Sequence, residues 1–259
     1  MKASDRELRK IEKKTAKIDS KAAAYREGRL KTVISEKLPD KVVSGLETAF
    51  VKAFYLVFEK GSSLIEKTYN KEEIEKEFSV KNYAFEKTGG KKEIKEIKKS
   101  AKKSGRINMC ISAIEGVGLG ALGIGMPDIV LFISMIFRGM YETALKYGYN
   151  YDSPFEKVYM LKIMEAALSK GNNRNKVGSD IDAMIEEAGE YTAADVDFQI
   201  EKTAKAFAVE LLVIKAVQGI PVAGILGGLL NPVYYHKISE YAQLKYRKRY
   251  LLDRKKAYH

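Results

Sequence analysis

The 259-residue chain carries 46 lysines and arginines against 34 aspartates and glutamates, a formal charge of +12, and 46% of its residues are apolar. That apolar share excludes a disordered chain and predicts a packed core, in one large domain or two small ones. The charge draws polyanions whatever the fold, and the single cysteine, Cys110, excludes an internal disulfide, which predicts a reducing, cytoplasmic setting.

Charge recurs almost everywhere from residue 4 to 36, with Leu8, Ile11, Ile18, Tyr25, Leu30 and Val33 at roughly helical intervals until Pro39 stops the pattern. Residues 1–39 therefore read as a separate basic helix, with no apolar run of the kind a signal peptide requires, and residues 40–259 as the main helical domain. From Asp40, Val43, Leu46, Phe50, Phe54, Val57 and Phe58 fall on one side of a 3.6-residue repeat that fades near Gly61. Residues 71–106 hold two charged helices split by Thr88, Gly89 and Gly90. The second is dense in lysine and leads directly into an apolar stretch, Gly116 to Phe137, whose one charge is Asp128.

Beyond it, Gly148, Asn150 and Pro154 end one helix, and Ser153 caps the next, Phe155 to Lys170. A polar loop is expected from Gly171 to Gly178, then a short acidic helix capped by Ser179 and Asp180. A helix from about Thr192 to Val217 runs into a second uncharged stretch, Ala216 to Tyr235, followed by another basic segment. No segment alternates with period two between turn signals, so the fold class is all-α. Both apolar stretches approach the roughly 20 residues of a membrane span, but Pro127, Pro221 and Pro232 break them. Each reads as a bent glycine-rich hairpin, and the fold as a multi-helix bundle built around the two. Such hairpins enter a bilayer, enclose a lipid or pack on each other with the same composition.

Gly116 and Gly120, like Gly224 and Gly228, stand four apart, the spacing that lets helix backbones approach closely. Tyrosines collect beyond the stretches, at Tyr141, Tyr147, Tyr149, Tyr151, Tyr234, Tyr235, Tyr241, Tyr246 and Tyr250, as half-buried core edges or as rings at a headgroup level. The basic flanks place Lys98, Lys99, Lys102, Lys103 and Arg106 on one side, and Lys245, Arg247, Lys248 and Arg249 on the other, as candidates to face anionic headgroups.

The stretch from Gly116 through Gly120 to Pro127 and Asp128, followed by Arg138 and by Tyr147, Gly148, Tyr149 and Asn150, resembles the signature of the EcsC family of bacterial proteins. Gly219 to Asn231, with Pro221, Gly224 and Gly228, is similar to that family's second block. The resemblance covers roughly residues 40–250 and leaves the N-terminal helix outside. It implies a predominantly helical, membrane-associated protein without assigned catalytic residues, named for an operon that encodes an ABC transporter. Family members read Asp-Ile/Leu-Pro after the glycines, whereas here Pro127 precedes Asp128.

Catalytic patterns are sparse. Gly118, Gly120 and Gly123 spell GxGxxG, but without the flanking strand a dinucleotide site needs, and no phosphate-loop, GxSxG or HExxH pattern is present. Cys110 reads as a small core residue and His236 as a wet histidine at the edge of an apolar segment. Asp128, after Pro127, falls in a helix's first turn, where a capping role outranks catalysis. Arg138 and Glu142 are spaced to pair, and Glu142 also reaches Lys146. The expected function is a non-catalytic, membrane-associated or lipid-interacting accessory protein on the inner face of the cell membrane, without cofactor or metal. Its partners would be anionic lipid and a membrane transporter. The alternatives are a soluble adaptor, a nucleic-acid binder, though RRM, KH and homeodomain motifs are missing, and a lipid-acting enzyme using Asp128, Arg138 and Glu142.

Overall fold

The computed structural model describes residues 2–23, 40–102, 127–217 and 232–257, and every regular element among them is helical. In chain order these are α1 (Lys2–Ala23), α2 (Asp40–Leu56), a π-helical turn (Val57–Gly61) running into α3 (Ser62–Glu66), α4 (Lys71–Thr88) and α5 (Lys91–Lys102). Then come α6 (Pro127–Lys146), α7 (Pro154–Leu168), α8 (Gly171–Glu186), α9 (Ala193–Val217) and α10 (Pro232–Ala257). The all-α bundle is thus as the sequence predicts. The two glycine-rich hairpins, with Lys103, Arg106, Gly116, Gly120, Pro221, Gly224 and Gly228, lie outside the described residues.

The helix ends are set by local chemistry. Asn70 caps α4 by accepting from the Glu73 amide at 3.1 Å, and Gly89, at φ 56°, closes it in the left-handed region. Ser153 caps α7, accepting from the Glu156 amide at 3.2 Å, with Pro154 as the first helical residue, where its missing N–H costs nothing. Gly148, at φ 82°, ends α6, where its own amide donates to the Leu145 carbonyl and the Tyr149 amide donates to that of Ala144, at 2.9 and 3.0 Å. One expectation is corrected: residues 171–178 are not a loop but the first half of α8, which starts at Gly171. Gly171, at φ 61°, turns the chain, and the asparagines after it lie on the exposed side of the helix.

α10 lies against α7, α6, α1, α8 and α5, while α9 packs on α2 and α7. α7 and α6 are buried nearly all round, and the charges they carry, such as Glu156, Arg138 and Glu142, are buried with them. Phe50, Phe54, Phe132, Phe137 and Phe207 interlock through edge-on and tilted contacts at one end of the core, with centroids 5.2 to 6.0 Å apart. α1 docks Leu8 and Ile11 into the same core, so the N-terminal helix is part of the bundle rather than a separate arm. The tyrosines settle as core: Tyr141, Tyr147, Tyr151, Tyr234, Tyr241, Tyr246 and Tyr250 are buried, and Tyr149 and Tyr235 are half-buried. No helix among the described residues is long and apolar enough to cross a membrane.

Candidate functional site

α5 is sharply two-sided. Ile94, Ile97 and Ala101 face the core, which leaves Lys91, Lys95 and Lys98 along the flank that meets α1. α1 presents Arg6 and Lys10, one turn apart, across from them. Between the two helices lies a cleft of about 420 Å³, with Ala3 and Ile94 supplying its apolar wall. Five cations thus line it against one carboxylate, Glu7. That carboxylate is already committed, to Lys98 at 3.0 Å, to Arg247 at 3.3 Å and to Lys10 at 3.4 Å. Arg6, Lys91 and Lys95 are exposed and form no ion pair among the described residues. The cleft therefore holds uncompensated positive potential, which a concave wall focuses.

Burial pushes the Glu7 carboxyl up, but the Lys98, Arg247 and Lys10 charges outweigh burial and hold it below the ordinary glutamate range. A depressed carboxyl contributes stability that is fully present above its unfolded value and is lost as pH falls through the folded one. Acid should therefore loosen α1 from α5 below a pH of about 4.3, the ordinary glutamate value. Glu7→Gln should flatten that part of the melting temperature against pH profile, and an acid limb unchanged by the substitution would assign it to other groups.

The cations of α10 behave otherwise. Lys245, 1% exposed, lies 2.6 Å from Asp182, which also takes Lys248 at 3.1 Å. Arg247 reaches Glu7, and Arg249 donates to Glu156 at 2.7 Å. Arg254 and Lys255 pair with Glu86 and Asp5. Lys245, Arg247, Lys248 and Arg249 thus correct the expectation that they face headgroups, because carboxylates of α1, α7 and α8 draw them inward. On α5, Lys99 and Lys102 are exposed, and Lys98 is half-buried in the cleft.

A polar seam runs through the core beside the Tyr147 to Tyr151 turn. The Tyr151 hydroxyl donates to Glu66 at 2.6 Å and lies 2.8 Å from the Tyr69 hydroxyl, and its ring stacks on Tyr141 with centroids 4.0 Å apart. The π-helical turn positions Ser62, whose hydroxyl is 3.1 Å from that of Tyr141. Burial, with the carboxylate of Glu66 beside it, raises the Tyr151 phenol far above its usual value and keeps it a neutral donor. Arg138 pairs with Glu142 at 3.3 Å and donates to the Thr68 carbonyl at 3.1 Å, and Lys146 closes on Glu142 at 3.4 Å. Arg138 and Glu142 are 8% and 7% exposed, so this line of charges, spaced as the sequence predicts, is internal. α6 begins at Pro127 with Asp128 in its first turn, and the Asp128 side chain lies outside the described residues.

Sequence reasoning missed two features. Arg6 and Lys10 stand on the same face of α1, and a paired helix was needed to make that face a cleft. The second feature is the buried Glu156, which accepts from Arg249 and from the Tyr246 hydroxyl. Its partners are 90 and 93 residues away, so no local signal points to them. Among the described residues, no group of three or more His, Cys, Asp and Glu side chains is placed to hold a metal ion.

The chain is similar over 218 residues to Protein EcsC of Bacillus subtilis (strain 168), at 25% identity, covering 83% of this chain and 81% of that protein. No solved structure matches it. The profile of the EcsC protein family matches residues 2–251. The match therefore takes in the N-terminal helix, which the motif resemblance had left outside, and agrees with the docking of α1 into the core. A match over nearly the whole length, carried by a bundle without strands among its described residues, places the chain in the EcsC family.

Proposed function

We propose that the protein is a non-catalytic accessory that docks peripherally on an anionic membrane surface, with the α1–α5 cleft as its headgroup contact. The observation that carries this reading is the cleft itself, in which Arg6, Lys91 and Lys95 are exposed, while its one carboxylate is held by three other cations. α5 also delivers Lys99 and Lys102 to the point where the chain enters its first apolar stretch, so cationic and apolar contacts to a bilayer would be adjacent in sequence. The EcsC resemblance, through the operon that gives the family its name, adds a membrane transporter as the protein partner of the docked state. Arg138 and Glu142 give the enzyme alternative little support, since each is buried and engaged with the other.

Flotation tests the reading. Vesicles containing phosphatidylglycerol should carry the protein upward, and vesicles of phosphatidylcholine alone should not, with binding falling as salt rises. Each basic side chain near such a surface contributes about 1 kcal/mol, so Lys91→Gln with Lys95→Gln should weaken binding by roughly thirtyfold. Equal flotation with both lipids, or preference for RNA over anionic vesicles at matched salt, would remove this reading.

A further inference from the structure

A second cleft, of about 350 Å³, opens where α1, α8, α9, α10 and the α7–α8 junction converge. It is separate from the α1–α5 groove and shares no residue with it. With Asp19 beside Arg174 and Lys14 beside Glu240 included, five cations, Lys14, Lys21, Lys170, Arg174 and Lys237, stand against three carboxylates, Asp19, Glu210 and Glu240, a surplus of two positive charges. Glu210, 3% exposed, holds Lys170 at 2.6 Å and Lys237 at 2.9 Å, which fixes two of the ammonium groups in place. Glu240 is drawn away by Lys14.

Arg174 is the decisive residue. It is 1% exposed, its guanidinium stacks 3.9 Å from the centre of the Tyr241 ring, and its Nε donates to Asp19 at 2.7 Å. Its Nη2, also buried, has no hydrogen-bond partner among the described residues. A buried guanidinium nitrogen without an acceptor is costly, and native proteins nearly always supply one. The site also includes Lys170, the residue that leads into α8, a 16-residue helix whose start has no side-chain cap and no acidic residue in its first turn. An uncapped helix start of this kind favours an anion. Beside the charges, Ile18, Ala22, Ala167 and Leu168 form an apolar wall.

We propose that this cleft binds a phosphate group, either free or at the head of a short apolar chain, with Nη2 of Arg174 as the buried donor and Lys21 and Lys237 at the rim. The surplus of two charges matches a phosphate dianion better than a carboxylate. Nη2 of Arg174 offers a charged donor to a phosphate oxygen while Nε stays on Asp19, and the apolar wall has room for a few methylenes of an attached chain. This assignment goes beyond docking to a vesicle surface and uses different residues.

Calorimetric titration of the full chain with inorganic phosphate, with a six-carbon monoacylglycerol phosphate below its micelle concentration, and with the matching uncharged monoacylglycerol tests it. Both phosphates should bind and the uncharged ester should not. A tighter acyl phosphate identifies a lipid headgroup as the source, and equal affinities identify free phosphate. Lys21→Gln, at an exposed position in no ion pair among the described residues, should weaken binding about tenfold while leaving the unliganded melting temperature in place, and adding Lys237→Gln should weaken it further at a cost in stability from the released Glu210. Arg174→Lys, which keeps the charge but loses the Nη2 donor, should weaken binding at least as much. Lys91→Gln with Lys95→Gln should leave phosphate affinity unchanged, so failure here and failure of vesicle docking are separately visible. Absence of binding by either phosphate, equal binding of the uncharged ester, or affinity indifferent to Lys21, Lys237 and Arg174 would overturn the assignment.

Discussion

Arg249→Met should destabilise the protein by about 3 to 5 kcal/mol in urea unfolding, because it leaves Glu156 buried without its cation. Glu156 is 1% exposed and accepts from Arg249 at 2.7 Å and from the Tyr246 hydroxyl. Burial already raises its carboxyl above the ordinary glutamate range, even with Arg249 and Tyr246 pulling it down. A carboxyl raised in this way favours the folded state below its unfolded value and loses that contribution as pH rises through the folded one. Removing Arg249 raises it further, so the deficit of the variant should shrink on acidification. Glu156→Leu combined with Arg249→Met should recover much of the loss, since no buried charge is then stranded. Arg249 also stacks over Tyr149, Phe155 and Tyr159, at 3.8, 4.9 and 5.1 Å from their centres. If the double variant is as unstable as the single one, that stacking, and not the charge pair, is what Arg249 contributes.

Gly148→Ala is the second large effect, at about 2 to 4 kcal/mol. Two causes act together: a side chain at φ 82° is strained, and its Cβ would come 2.3 Å from Cε1 of Phe78. The substitution would prise α4 away from the end of α6. Gly45→Ala provides the contrast, because a Cβ there meets nothing within 4 Å and the helix gains about 0.5 to 1 kcal/mol. If both substitutions were neutral in thermal unfolding, the turn that follows α6 would not be held as described.

The contrast between these sites also shows what the sequence reveals. The start of α7 is legible because every participant, Ser153, Pro154 and Glu156, lies within four positions. The Arg138, Glu142 and Lys146 line is legible for the same reason, as a helix spacing of four. α8 was hidden because glycine and asparagine are the usual residues of loops, and only tertiary packing of Val177, Ile181 and Ile185 makes residues 171–178 helical. The basic run of α10 misled for a related reason. Taken alone, Lys245, Arg247, Lys248 and Arg249 describe a solvated face, and the carboxylates that turn them inward stand on α1, α7 and α8. Periodicity reports burial only where apolar residues carry it. A buried cation with a distant partner leaves no periodic trace.

The placement of α10 has a consequence for how the molecule is made. This helix neutralises acids on α1, α4, α7, α8 and α9, and the Lys255–Asp5 pair joins residues 250 positions apart. A ribosome emitting the chain from its N-terminus releases α1 first and α10 after all the helices it joins. Throughout that interval the grooves α10 will fill stay open, with apolar walls and unmatched carboxylates. Long-range closure of this sort slows folding and lengthens exposure to aggregation. The nascent chain therefore exposes apolar grooves and buried-to-be carboxylates such as Glu156 until α10 emerges, and the cations of α10 are what close them.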